Sequence, residues 1–449
     1  SDWSSDVCSS DLAGLLLAGC AAPPALAPPA PLPAGRWLDS LRRVRAAQAD
    51  SELLAGAAKL EITPRPGVII AGHGFNKHAR GVLDPLYARA LYLDAGAEAL
   101  VLVSADVIGL SHGRIERIRS RLTARWGRRI LIAASHTHFG PDTLGFWGPA
   151  LFGLLPVRSG IDPRYMDWLE RRVARAVALA AARARPARLR AGPVAVPAGL
   201  ALNLRQPGDV PAQAFALRAE EPTGAGIATA VVYGCHAEAL QDDFRMISAD
   251  FPGVLCAEVE AALGGTCLFF SGPAGGMIEP ASDAAAPERE RVAFCRWMGG
   301  LLARAVIEAA LRGLPPLAAG GLRVHTARPA LPVAAQGMLA LAWKLGLLEP
   351  RPRPAGRIRT EMALVELGRL RLLTVPGEPT PEVGRALAAA IGGDQQVILT
   401  LALDELAYFL SPEQWAAPAF AYERSMSLGP RATPILLETA RRLAARARR

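Results

Sequence analysis

Two histidines two residues apart, His136 and His138, stand at the end of a short apolar run, Ile130–Ala134, just ahead of a Gly140-Pro141 turn. A partly β-branched run bounded by a turn predicts a buried strand that ends in a loop. In extended backbone, residues i and i+2 project to the same side. The two imidazoles are therefore expected to emerge together from the end of a core strand. Imidazole ligates metals and exchanges protons near neutral pH. The chain has only 7 His in 449 residues, so their pairing at this spot points to a metal or catalytic site. The competing reading is a pair of ordinary polar loop histidines.

Three further polar groups lie at or just beyond apolar strands. His236 follows Ala228–Gly234, Glu378 sits in the Pro376–Thr380 turn after Glu361–Val375, and Tyr408 follows Val397–Leu403. Two imidazoles and a carboxylate form a zinc donor set, and catalytic zinc keeps one position open. Asp106 and Asp250 could orient the ligand imidazoles; a helix-cap or turn role competes with that reading. His73, His78, His112 and His325 lack companions in the pattern and read as surface or satisfied loop residues. The glycine-rich Ser271–Gly276 segment has no Lys-Ser/Thr after it, so a phosphate-cradling role is not expected.

The elements that must position these groups alternate. Strands are expected at Ala57–Ile62, Leu83–Asp94, Ala99–Val103, Leu189–Val196 and Thr266–Phe270. Helices are expected at Ile115–Trp126, Tyr165–Ala184, Phe294–Leu311 and Pro381–Ala390. The order predicts an α/β fold: a single large mixed α/β domain over residues 36–449, with central sheets carrying the site at their strand ends. No internal repeat is visible in the sequence.

Composition agrees with a well-buried globular protein, 51% apolar and 20% charged. The net charge of +9 comes from Arg spread along helix faces, with no basic block interleaved with aromatics, so no nucleic-acid partner is expected. Cys235, Cys256, Cys267 and Cys295 form no C-x-x-C pair, which argues against a thiolate zinc site. Their apolar neighbourhoods predict buried free thiols.

Ser1–Leu12 has no periodicity and no basic start, and reads as a non-native, adapter-like segment. Residues 13–20 end in Leu-Ala-Gly-Cys20, the pattern of a remnant signal peptide with a bacterial lipobox. Residues 21–35 are an Ala/Pro tether. The expectation is an exported envelope lipoprotein anchored to a membrane through lipidated Cys20.

Several segments, in order, resemble the neutral/alkaline non-lysosomal ceramidase family of zinc amidases. They are Lys59-Leu-Glu-Ile-Thr-Pro64, Tyr87-Ala-Arg-Ala90, Ser135-His-Thr-His-Phe-Gly-Pro141, Cys235-His236 with Ser248-Ala-Asp250, Val375-Pro-Gly-Glu378-Pro-Thr380, Tyr408-Phe-Leu-Ser-Pro-Glu413 and Tyr422-Glu423. They span most of residues 57–430. The resemblance implies zinc (Zn2+) held by His136, His236, Glu378 and Tyr408. It also implies that His138, Arg205 and Tyr422 surround the scissile carbonyl.

Two departures stand out. The family's Gly-Asp-Val-Ser-Pro-Asn motif aligns with Gly275-Gly-Met-Ile-Glu-Pro280, so its Asp and Ser are missing and Glu279 stands nearby. The sequence also stops near the end of the family's catalytic region, without the immunoglobulin-like domain that follows there. A serine-based covalent route is thus not available at that place, whereas a metal-activated water is. The expected function is zinc-dependent hydrolysis of the amide of an N-acyl lipid such as ceramide. His138 and Tyr422 would serve as donors to the carbonyl oxygen, His138 as general acid, and Arg205 would orient the substrate. For Arg205 an ion pair with an acid competes, and for Tyr422 a half-buried core position. The second function class is an inactive envelope lipoprotein of the same fold that acts as a ligand-binding module.

Overall fold

The computed structural model describes residues 53–447 apart from 123–126, 154, 319–320 and 335–336. The lipobox and tether expectations fall on residues outside the described ones. Three sheets repeat one connectivity. In the first, β1 (Leu54–Glu61), β2 (Tyr87–Asp94) and β3 (Ala99–Ala105) are antiparallel neighbours. Helix α1 (His112–Ser120) then crosses over to β4 (Ile130–Ala134), which pairs parallel to β3.

In the second, β5 (Arg188–Ala195), β6 (Gln213–Glu220) and β7 (Gly226–Tyr233) follow the long helix α2 (Pro163–Ala182). Helix α3 (Asp250–Leu263) crosses to the parallel strand β8 (Thr266–Ser271). In the third, β9 (Arg323–Ala327), β10 (Met362–Leu367) and β11 (Leu370–Thr374) follow α4 (Glu288–Arg312). Helix α5 (Pro381–Ile391) then leads to the parallel strand β12 (Gln395–Leu399). Each unit is thus three antiparallel strands, a crossover helix and a parallel fourth strand. The repeat hidden in the sequence is explicit in the hydrogen bonding.

Alternation within strands explains how the sheets pack. On β10, Ala363, Val365 and Leu367 face a core shared with Leu91, Val103, Ile132 and Phe270 of the first two sheets. Met362 and Leu364 face the opposite way, onto α5 and the last helix, α6 (Ala432–Ala447). Side chains two apart on a strand share a face, so a strand apolar on both faces is buried on both. The first sheet likewise carries α2 against β1 and β2 on its far side, with Val173, Ala176 and Val177 in the same core.

The expected strands and helices appear with shifted ends: the helix expected at Tyr165–Ala184 runs Pro163–Ala182, and the one at Phe294–Leu311 begins at Glu288. Asp162 caps the first of these by accepting from Arg164 and Tyr165 N–H, ahead of Pro163, which is why it starts earlier than its apolar spacing suggests. The Arg residues of α1 are not a free basic face. Arg114, Arg117 and Arg121 all reach the buried carboxylate of Glu170 on α2. Cys235, Cys256, Cys267 and Cys295 are buried and unpaired. Among the described residues no helix is long and apolar enough to cross a membrane.

The three parallel pairs end close together. Ala133 at the end of β4 bridges Ala402 beyond β12, and Thr400 N–H donates to the Ser271 carbonyl at the end of β8. Ligand sites of open α/β sheets collect at such carboxyl ends.

Candidate metal centre

His136 and His138 leave β4, His236 leaves β7, and Glu378 leaves β11. Nε2 of His136 is 3.3 Å and Nε2 of His236 is 3.0 Å from the same Glu378 oxygen, Oε2. The two rings are 5.0 Å apart. Tyr408 is brought in by a two-residue parallel pairing in which Glu378 sits opposite Tyr408 and Pro379 opposite Phe409. Tyr422 follows, its ring 6.0 Å from that of Tyr408. His136, His138, His236, Glu378, Tyr408 and Tyr422 all line one cavity of about 340 Å³.

The local chain explains this convergence. Nδ1 of His136 lies 2.7 Å from the Ile108 carbonyl and Nδ1 of His236 lies 2.9 Å from the Ile278 carbonyl. A carbonyl only accepts, so each Nδ1 carries a proton and each Nε2 is turned to Glu378. Backbone carbonyls thus orient both imidazoles, the arrangement that fixes a metal-ligating histidine. Asp106 and Asp250 do not. Asp106 accepts from Arg89 and from Tyr87 N–H, while Asp250 holds the N–H groups of Ala239 and Leu240.

His136 itself has φ +65°, in the left-handed region that costs a non-glycine residue about 1–2 kcal/mol. The extended alternation expected for His136 and His138 is therefore broken. Their rings still come within 4.9 Å because His136 N–H is tied to the Val107 carbonyl and His138 N–H to that of Ala237. The glycine-rich stretch serves packing. A Cβ at Gly275 would meet the Glu378 carbonyl at 2.5 Å, so the absence of a side chain there lets the Glu378 strand approach.

Electrostatics mark the carboxylate as a cation seat. Burial works to raise the Glu378 carboxyl, but His136 and His236 hold it well below the usual carboxylate range. Burial works to lower His236, yet its bond to Glu378, with Glu238 also near, carries it up to about 9. Burial, then the Glu378 charge, pushes the Tyr408 phenol well above its ordinary value. Burial likewise pushes Tyr422 up to about 12, so it remains an O–H donor at neutral pH.

The donor set fits a divalent ion. Ligands 2.0–2.2 Å from a tetrahedral zinc stand about 3.3–3.6 Å apart, close to the 3.0 and 3.3 Å found around Glu378. His136, His138 and His236 also have ring nitrogens close enough to share an ion. His138 Nε2 has no hydrogen-bond partner although the residue is buried. A further acidic group with His112, Glu116 and Glu361 is instead engaged by Arg119 and Arg328.

Arg205 lies beside the cavity, not in its wall: its Nε donates to the fully buried Glu423 at 2.7 Å. Its neighbour in the pair adjoins Tyr422, so the ion pair holds the turn that presents that phenol. Two wall residues lacked a functional reading in the sequence. His73, expected to be a surface or loop histidine, lies with its ring 4.9 Å from that of His138. Glu238 places Oε2 3.1 Å from His138 Nδ1. The signal for Glu238 was available, because His236-Ala-Glu238 repeats the spacing of His136-Thr-His138. Glu279 also lines the cavity, and burial, then Glu238, raise it to about 7.

No family model and no curated protein matches the sequence. Solved structures do match the fold. Neutral ceramidase from Pseudomonas aeruginosa superposes with a TM-score of 0.75 at 19% identity, over 89% of this chain and 75% of that one. A ceramidase complexed with C2 superposes with a TM-score of 0.72 at 18% identity, over 89% and 76%. The chain therefore has the fold of the neutral ceramidases, the family its motifs resemble.

Proposed function

We propose that this protein is a zinc-dependent amidohydrolase of the neutral ceramidase type that cleaves the amide of an N-acyl lipid. The observation that carries the reading is the convergence of His136 and His236 on one oxygen of Glu378 at the floor of a cavity. His136, His236, Glu378 and Tyr408 would hold the ion. A divalent ion bound there supplies Lewis-acid polarisation of a carbonyl and a water of lowered pKa.

The chain's own groups supply the rest. Tyr422, a protonated phenol at the cavity wall, donates to the carbonyl oxygen as negative charge develops on it. Burial, opposed by Glu238, holds the His138 imidazole below its ordinary value. Neutral at working pH, it is the group placed to take the proton that the attacking water loses and pass it to the departing amine nitrogen. Arg205 positions Tyr422 through Glu423. Phe146, Trp147, Leu339, Trp343, Leu348 and Met426 line the same cavity, an apolar wall suited to an acyl chain. The missing Asp-Ser pair leaves the serine route without a nucleophile at Gly275–Pro280, which favours water as the attacking group.

That apolar wall and a lipidated Cys20 together suit an enzyme working on lipid at an envelope membrane. The test is hydrolysis of a fluorescent N-acyl sphingosine before and after chelation, with zinc then restored. Turnover that vanishes on chelation, returns with zinc and ignores serine-directed reagents supports the reading. Bound zinc without turnover on any N-acyl lipid would favour the binding module.

A further inference from the structure

Next to the group around Glu378 lies a second one, of which the amidase reading uses His138 alone. His73, His138 and Glu238 have one ligand atom each within 4.8 Å of one another. Glu238 Oε2 is 3.1 Å from His138 Nδ1 and 3.9 Å from His73 Nε2, near the separation of donors around one tetrahedral ion.

Several of these atoms are buried and lack partners. His138 Nδ1 has Glu238 Oε2 beside it, but His73 Nε2, His138 Nε2 and Glu238 Oε1 have no hydrogen-bond partner, and Glu238 and His138 are 7% and 8% exposed. Buried polar groups are almost always paired with protein, ordered water or an ion, so orphan atoms on three residues whose ligand atoms lie within 4.8 Å of one another indicate something bound among them. Local geometry lets the His138 ring pack against the backbone beside His73. Gly72 has φ +102°, and a Cβ there would meet His138 Cγ at 2.5 Å. On the outer side, Asp242 Oδ1 lies 3.9 Å from His73 Nδ1, where a carboxylate can steady a ligating imidazole. Lys77, the cation that opposes the site, is itself bonded to the Asp242 carbonyl.

We propose that His73, His138 and Glu238 bind a second divalent transition-metal ion of the zinc class beside the first, with His138 common to both groups. Two imidazoles and one carboxylate leave an open position and match the borderline donor preference of zinc and cobalt. The inference stands independently of the reaction assigned to the first group. In the doubly loaded protein His138 is committed to ligation, and its proton-donating role belongs to the singly loaded state.

The test is metal stoichiometry, read as bound cobalt per chain and by the visible absorption of Co2+ during titration of the chelator-stripped full chain. The wild type is expected to bind two ions. His73→Ala and Glu238→Gln, each checked for folding by circular dichroism, are expected to bind one. His136→Ala is expected to lose the other ion and keep this one. A wild type that saturates at one ion per chain, the orphans then being met by water, would overturn the proposal. So would variants at His73 and Glu238 that still bind two. One ion lost with His73→Ala but none with His136→Ala would support this site while refuting the first.

Discussion

Thr137 bridges Ala237 in parallel register, and this contact lays His136-Thr137-His138 beside His236-Ala237-Glu238. His136 and His236 then fall together on the side of Glu378, with rings 5.0 Å apart. His138 and Glu238 fall together on the side of His73. The Thr137 hydroxyl donates to the Ser248 carbonyl at 2.7 Å and accepts from Phe139 N–H. Thr137→Val keeps the shape and leaves those buried groups unpaired, so it should cost about 1–3 kcal/mol of stability. It should also weaken metal retention by roughly 10–100-fold. Thermal unfolding and competition with a chelating dye measure both; unchanged values would show that the register is held elsewhere.

Tyr422→Phe removes the phenolic donor and little else, since the ring is half-exposed at the cavity edge. Loss of one donor to a developing oxyanion typically lowers kcat by about 10²–10³-fold. Metal content should stay at the wild-type level. A variant with full kcat on a turned-over N-acyl substrate would remove Tyr422 from the chemistry.

Gly72→Ala tests the wall behind His138. The backbone there is left-handed and the new Cβ would sit 2.5 Å from the imidazole carbon. Strain of this kind costs about 1–3 kcal/mol, and His138 must shift to relieve the clash. The expected variant is folded, with a lower melting temperature and at least a tenfold loss of turnover, a loss set by the misplaced imidazole. Wild-type melting and turnover together would contradict the packing described.

Glu279 gives a pH signature. Burial and then Glu238 raise its carboxyl from 4.5 to about 7 in the folded chain. The folded state therefore holds this proton more tightly than the unfolded state. The resulting stability is fully present below pH 4.5 and is lost as pH rises through about 7. Glu279→Gln mimics the protonated form at every pH. In metal-stripped protein the variant should melt higher than wild type above pH 7, with the difference shrinking as pH falls toward 4.5. Parallel melting curves across that range would refute the burial argument.

Local pattern was enough to find the ends of β4, β7 and β11 and the polar residues just past them, because apolar runs closed by Gly and Pro define strand ends whatever the partner strand. It was not enough to find the pairing that makes Tyr408 a neighbour of Glu378. That rests on a two-residue contact between distant segments, with no trace in either segment alone. Strand β6 has the sequence Gln-Ala-Phe-Ala-Leu-Arg-Ala-Glu, whose small, weakly patterned side chains gave no strand signal; it pairs on both edges with β5 and β7. The threefold connectivity was hidden for a similar reason, since the units share hydrogen-bonding order and not residues. His73 sits in the Ala71–Gly74 segment, where no periodicity predicts a direction; the bonds from Ala71 N–H to the Gly140 carbonyl and from Asp142 N–H to the Ile69 carbonyl bring it to His138.

The central claim is that His136, His236, Glu378 and Tyr408 surround one divalent ion. Diffraction from zinc-loaded crystals at the zinc absorption edge tests it most directly. An anomalous peak is expected about 2.0–2.2 Å from the Nε2 atoms of His136 and His236 and from a Glu378 oxygen. Crystals of zinc-saturated protein with no peak between those side chains would contradict it.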